Sequence, residues 1–120
     1  MLDALDAQRA DAFARGDPTL LGAVYAAGAP PAAVDAAALA ALQGAGRTAS
    51  GVRHELRRVE PLTLEASRAL LRVVDVLTPH ELRGPVGAPA EALPGRGEQP
   101  YEVELVREGG AWVIARLTPL

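Results

Sequence analysis

Residues 67–78, SRALLRVVDVLT, constrain this chain more than any other stretch. They are long enough for one β-strand, and aliphatic residues occupy both of its alternating faces. Leu71, Val73, Asp75 and Leu77 point one way; Leu70, Arg72, Val74 and Val76 point the other. A strand that is apolar on both sides needs cover on both sides. Asp75, the one acid among these residues, is therefore expected to be buried, and a buried carboxylate needs a partner.

The segments before this strand have the period of helices. Residues 2–15, LDALDAQRADAFAR, place Leu2, Leu5, Ala12 and Phe13 on one face, with Arg9 near its middle. Gly16 stops this helix, and Asp17-Pro18 restarts the chain as N-cap and first helical residue. A second helix is expected over residues 18–27, with Leu20, Leu21, Val24 and Tyr25 inward. A third is expected over 31–43, with a thin stripe of Val34, Ala38, Leu39 and Leu42. Gly44-Ala45-Gly46 follows a helix, whereas a phosphate loop follows a strand, so it is read as a linker.

The segments after residue 50 have the period of strands. Residues 52–59 alternate and are strongly charged, which suits a sheet with one wet face. Pro61-Leu62-Thr63 is read as a turn into the central strand, and 84–100 as a long irregular segment rich in Gly and Pro. Residues 101–108 alternate strictly, Gly109-Gly110 is a two-residue hairpin turn, and 111–118 return. That turn pairs Arg107 with Trp112, Leu105 with Ile114, Val103 with Arg116, and Tyr101 with Thr118. The order is α+β: three N-terminal helices packed on a curved four-stranded antiparallel sheet.

One hundred and twenty residues with 49% hydrophobic content fit one compact domain spanning 1–120. Only 3% of residues are aromatic, so Phe13, Tyr25, Tyr101 and Trp112 should matter disproportionately. A net charge of −3 argues against a nucleic-acid partner, and the Arg53, Arg57 and Arg58 cluster is interleaved with Glu55 and Glu60. With no Cys there is no disulfide framework and no thiolate chemistry. Lys and Asn are absent and every basic side chain is Arg, a codon bias typical of a GC-rich bacterial genome. No run of residues is long and apolar enough to span a membrane. As it stands the sequence is read as cytoplasmic, or extracytoplasmic if an N-terminal anchor or signal has been removed.

The order of elements resembles the nuclear-transport-factor-two-like superfamily, which includes polyketide-cyclase and ketosteroid-isomerase relatives. DAQRADAFARGDPTLLGAVYAAG is similar to the helix–corner–helix opening of small actinobacterial members of uncharacterised role. LLRVVDVL and PYEVELVREGGAWVIARL resemble their central strand and closing hairpin. The resemblance implies a cone-shaped, cystatin-like roll whose first helix lies across the concave sheet and whose interior can be a pocket. The side chains expected to line it are Phe13, Tyr25, Leu71, Val73, Tyr101, Val103, Leu105, Trp112 and Ile114.

In that architecture Arg9 and Asp75 form a natural ion pair, with Arg116 as the alternative partner of Asp75. A neighbouring Arg lowers a carboxyl pKa, which suits a structural lock better than a general base. The catalytic candidates are Asp75, His54 and Tyr25, with an Asp75–His54 dyad as one form of proton transfer, as in dehydratase and cyclase relatives. Two histidines, His54 and His80, without a ligand spacing indicate no metal site, and no cofactor is expected. The first reading is a non-catalytic module that binds a small ligand or a protein. It would form a homodimer through the outer sheet face, where Leu70, Val74, Val76, Val106 and Val113 lie. The alternative is a small isomerase, dehydratase or cyclase using Asp75 in an open cone. Filling of that cone by Phe13, Tyr25 and Trp112 would exclude it.

Overall fold

Helix α1 (Leu2–Arg15) lies against the sheet, and its inner face is apolar at both ends and polar in the middle. Leu5, Ala12 and Phe13 are buried on it, while Asp6 and Arg9 continue the same stripe at helical spacing. A computed structural model describes residues 1–120. A 3-10 helix (Pro18–Ala23) follows α1; the Asp17 side chain caps it by accepting from the Thr19 amide at 3.0 Å. The helix expected to reach residue 27 is shorter than that. The Val24 and Ala26 backbone instead bonds to Ile114, turning the chain along the sheet edge.

Helix α2 (Pro30–Gly44) buries Asp35 and Leu39, with Leu42 partly buried against the core. Val34, expected inward, is 69% exposed. The stripe is rotated by one residue from the hydrophobic expectation. Alanine at most other positions leaves the helix little preference for one face, and the ion pair that Asp35 makes decides it.

The main sheet has the order β2–β3–β6–β7, all antiparallel: β2 (His54–Leu64), β3 (Arg68–Leu77), β6 (Arg96–Glu108) and β7 (Ala111–Pro119). Strand β2 runs straight through Pro61-Leu62-Thr63 and absorbs the proline with a register shift, so the expected turn there is instead bent strand. A second sheet joins β1 (Thr48–Ser50), β4 (His80–Arg83) and β5 (Glu91–Leu93) in the order β1–β4–β5. The segment expected to be irregular over 84–100 thus contains β5 and the start of β6. Gly95 makes that start possible, because a Cβ there would collide with the Leu77 carbonyl oxygen.

The β6–β7 hairpin turns at Gly109-Gly110, both with positive φ, and its first pairs are as expected: Arg107 with Trp112 and Leu105 with Ile114. Beyond them a bulge at Ala115 shifts the register, so Val103 faces Leu117 and Arg116 faces Glu104. Arg116 is thereby carried off the inner face and is exposed. Leu39, Leu105, Val24, Val73 and Val103 are almost wholly buried, each contributing about 1.5–3 kcal/mol of transfer free energy. On the outer face Leu70, Val74, Val76 and Val106 are half-buried and Val113 is buried. They are interleaved with the Arg68–Glu104 and Arg72–Glu102 pairs, which makes that face a mosaic instead of an apolar patch.

Candidate functional site

Across the inner face of β2, β3 and β6 the side chains grade from polar to apolar. His54, Leu77 and Arg96 form one cross-strand row, and Leu56, Asp75 and Gln99 the next. Val59, Val73 and Tyr101 follow, and then Pro61, Leu71 and Val103. At the polar end the cone is open. The cavity there has a volume of about 610 Å3 and is lined by twenty residues, ten of them hydrophobic. Leu2, Leu5, Asp6 and Arg9 of α1 form one wall, and Pro30, Pro31, Val34 and Asp35 of α2 another. Val24, Tyr25, Ile114, Leu117 and Pro119 complete it. A second depression, lined by Arg15, Arg47, Arg83 and the residues around Gly84, is shallow and has only two hydrophobic lining residues.

Three carboxylates line the main cavity, and each is held by its own cation. Asp35 receives Arg9 in a two-pronged contact, Nε to Oδ2 at 2.6 Å and Nη2 to Oδ1 at 2.9 Å. The Tyr25 hydroxyl donates to the same carboxylate at 2.6 Å. Asp75, fully buried, receives Arg96 Nη2 at 2.7 Å on Oδ1 and the Tyr101 hydroxyl on Oδ2. Asp6 accepts from His54 Nδ1 at 2.8 Å, from the His54 amide at 2.9 Å and from Arg53 Nε at 3.1 Å. Arg9 Nη1 is buried with no oxygen partner, and the Phe13 ring, 4.9 Å from the guanidinium carbon, is the electron-rich group beside it.

These contacts set the protonation of the cavity. Burial raises the Tyr25 phenol well above its ordinary value of 10.0, and the hydrogen bond to Asp35 raises it further, against the opposing Arg9 charge. Burial and Asp75 raise Tyr101 in the same way, against the Arg96 charge. For Arg9, burial works against the charged form but is outweighed by Asp35, so the guanidinium is held more firmly protonated than usual. For Asp6, burial disfavours the carboxylate, yet the hydrogen bonds and charge of His54, with Arg53, lower its pKa below the ordinary 3.8.

The expected Arg9–Asp75 pair does not form, and Arg116 is not its substitute. Arg9 reaches across to α2 and Asp35, while Asp75 takes its cation from its own sheet, from Arg96 in the adjacent cross-strand row. His54 and Asp75 both line the cavity, but the histidine is bonded to Asp6. Tyr25, Tyr101, Val103 and Ile114 also line it. Phe13, Leu71, Val73, Leu105 and Trp112 do not: the first four close the narrow end, and Trp112 packs by the hairpin with Arg107, 5.4 Å from its ring. Asp6, Asp35 and Arg96 were not among the candidates. Asp6 shares a helix face with Leu2, Leu5 and Arg9, a signal present in the spacing. No three His, Asp or Glu side chains converge as a metal site requires.

Known structures give this arrangement a place. Sequence comparison finds no matching family model and no matching curated protein. The intermembrane space region of the chloroplast protein ARC6 superposes with a TM-score of 0.65 at 13% identity, covering 99% of this chain and 90% of that one. A candidate scytalone dehydratase from Novosphingobium aromaticivorans gives 0.57 at 16% identity, over 97% and 78%. An NTF2-like protein with a cystatin-like fold from the same organism gives 0.52 at 18%, over 97% and 76%. The chain has the nuclear-transport-factor-two-like fold. In this NTF2-like cone the strongly bent sheet and α1 enclose the cavity between them, and no helix is long and apolar enough to cross a membrane. Such a fold hosts many activities, so function rests on the cavity itself.

Tyr25 and Tyr101 are the only tyrosines, so a spectrophotometric pH titration reads the cavity alone. At pH about 10 the folded protein should show almost no phenolate, while in urea about half should be ionised. A folded midpoint at the ordinary value would mean that neither phenol is held by its carboxylate.

Proposed function

We propose that this NTF2-like domain binds a small, largely apolar molecule in its cone. The observation that carries this reading is the cavity of about 610 Å3, inside the range of roughly 300–1,000 Å3 common to small-molecule sites. Its walls are rigid for a physical reason. Paired charges on α1, α2, β3 and β6 hold the polar end apart, so the side chains there cannot collapse inward without breaking buried ion pairs. The aromatic side chains that could have filled the space are elsewhere: Phe13 is in the core, Trp112 is at the hairpin, and Tyr25 and Tyr101 stand at the wall.

A second reading, proton-transfer catalysis of the isomerase or dehydratase kind, is favoured by one arrangement. Asp6 accepts from His54 Nδ1, which would fix the tautomer and leave Nε2 as a base on the cavity wall. Asp75 suits that role less well. It already receives two donors, Arg96 and the Tyr101 hydroxyl, so both of its oxygens are occupied.

The neutral dye Nile red tests the first reading. Its fluorescence should rise saturably at one dye per chain, and Leu56→Trp, which places a bulky ring between His54 and Asp75, should abolish the rise without loss of the folded state. A dye response that is unsaturable, or unchanged in the variant, would place the binding outside the cone. The second reading predicts that the protein accelerates deuterium exchange at the carbon beside the carbonyl of α-tetralone, and that His54→Phe loses this acceleration while still binding dye. No protein-dependent exchange would count against it.

A further inference from the structure

The charge arrangement in the cavity restricts what can occupy it. Every carboxylate oxygen facing the cavity is already engaged by donors of the chain: Asp35 by Arg9 and Tyr25, Asp75 by Arg96 and Tyr101, Asp6 by His54 and Arg53. Each of the three acids therefore has one guanidinium, Arg9, Arg96 or the half-exposed Arg53, so the three acid–arginine pairs are balanced in charge. The pairing is tight as well as balanced, with closest nitrogen–oxygen distances of 2.6 Å, 2.7 Å and 3.1 Å for the three arginines.

Arg9 Nη1, buried beside Phe13 with no oxygen partner, belongs to a guanidinium already paired with Asp35, so a charged ligand would enter this space without an unpaired counter-charge. To be paired it must take a cation from an aspartate or a carboxylate from an arginine, and it then leaves a buried charge exposed to apolar surroundings. An uncharged molecule has no such cost. What remains uncommitted on the polar wall is of the right kind for it. His54 lines the cavity with Nε2 unbonded, and Gln99, beside Asp75 in the sheet, spends only its amide nitrogen on the Pro100 carbonyl. Together these are neutral hydrogen-bonding groups at the end of a slot whose other walls are Leu2, Leu5, Leu56, Val103 and Ile114.

We propose, resting on the binding reading above, that the ligand of this cone is uncharged, apolar over most of its surface, and carries a single hydroxyl or carbonyl group that meets His54 or Gln99. The charge balance excludes carboxylates, phosphates and amines of the same size. The same balance makes the selectivity reversible by one substitution. Asp75→Asn frees Arg96, whose side chain is 36% exposed, and turns the cavity cationic.

Isothermal titration at neutral pH with naphthol, naphthoate and naphthylmethylammonium tests this, since the three share one ring system and differ in charge. Naphthol should bind at least about tenfold more tightly than either ion. Asp75→Asn should raise naphthoate affinity relative to naphthol, and Asp35→Asn, which frees Arg9, provides the same comparison if the first variant does not fold. Tighter binding of naphthoate or naphthylmethylammonium to the unaltered protein overturns the inference and leaves the binding reading intact. A preference for naphthol that neither folded variant shifts would also overturn it, because the selectivity would then not come from charge. If Nile red binds but none of the three naphthalenes does, the proposed ligand class is wrong; if Nile red also fails, the binding reading falls with it.

Discussion

The contact between Arg9 and Asp35 is the constraint on which the rest of this structure depends. It joins the middle of α1 to the start of α2, and Tyr25 ties the intervening chain to the same carboxylate. A buried carboxylate with two or more donors is tolerable; one left alone would cost several kcal/mol. The helix α2 therefore turns Asp35 inward and leaves Val34 outside, against the order that hydrophobicity alone would choose. Once α2 is set this way, Pro30, Pro31 and Asp35 become a wall of the cavity. Leu39 and Leu42, one and two turns along, become part of the closed end.

The sheet has a counterpart of this junction. Asp75, Arg96 and Tyr101 repeat the same trio of acid, guanidinium and phenol on β3 and β6. Two such trios, one on the helical side and one on the sheet side, stand across the open end of the cone. Their chemistry explains why the cone is open there and filled at the other end. Ala12, Phe13, Val73 and Leu105 gain by coming together, whereas the paired charges gain nothing from further contact and resist being displaced. Gly95 belongs to this arrangement too, because its missing side chain lets β6 begin against Leu77 and so brings Arg96 within reach of Asp75.

The sequence showed the fold more plainly than the site, and the reason is physical. Strand β3 and the Gly109-Gly110 hairpin carry strong periodic signals, and their positions follow from residues close in the chain. The cystatin-like order of helices and antiparallel strands follows from the same signals. Pairing of charges depends instead on residues far apart. Arg9 and Asp75 were each expected to be buried and partnered, and each is partnered, but not with the other. Asp35 was hidden because an alanine-rich helix has almost no face of its own. Arg96 was hidden because Gly and Pro around it resemble a loop, although β6 begins there. Arg116 was misplaced by the Ala115 bulge, which no local pattern announces.

The Arg9–Asp35 junction can be measured directly by a double-mutant cycle in urea, with Arg9→Met, Asp35→Leu and the pair together. If the junction organises the helices, each single change should cost about 3–5 kcal/mol, because each leaves an uncompensated buried charge. The double variant should then be more stable than the sum of the two predicts, by about 1–3 kcal/mol. Costs that simply add would contradict this account, since Arg9 and Asp35 would then stabilise the protein independently and the cone would owe its shape to something else.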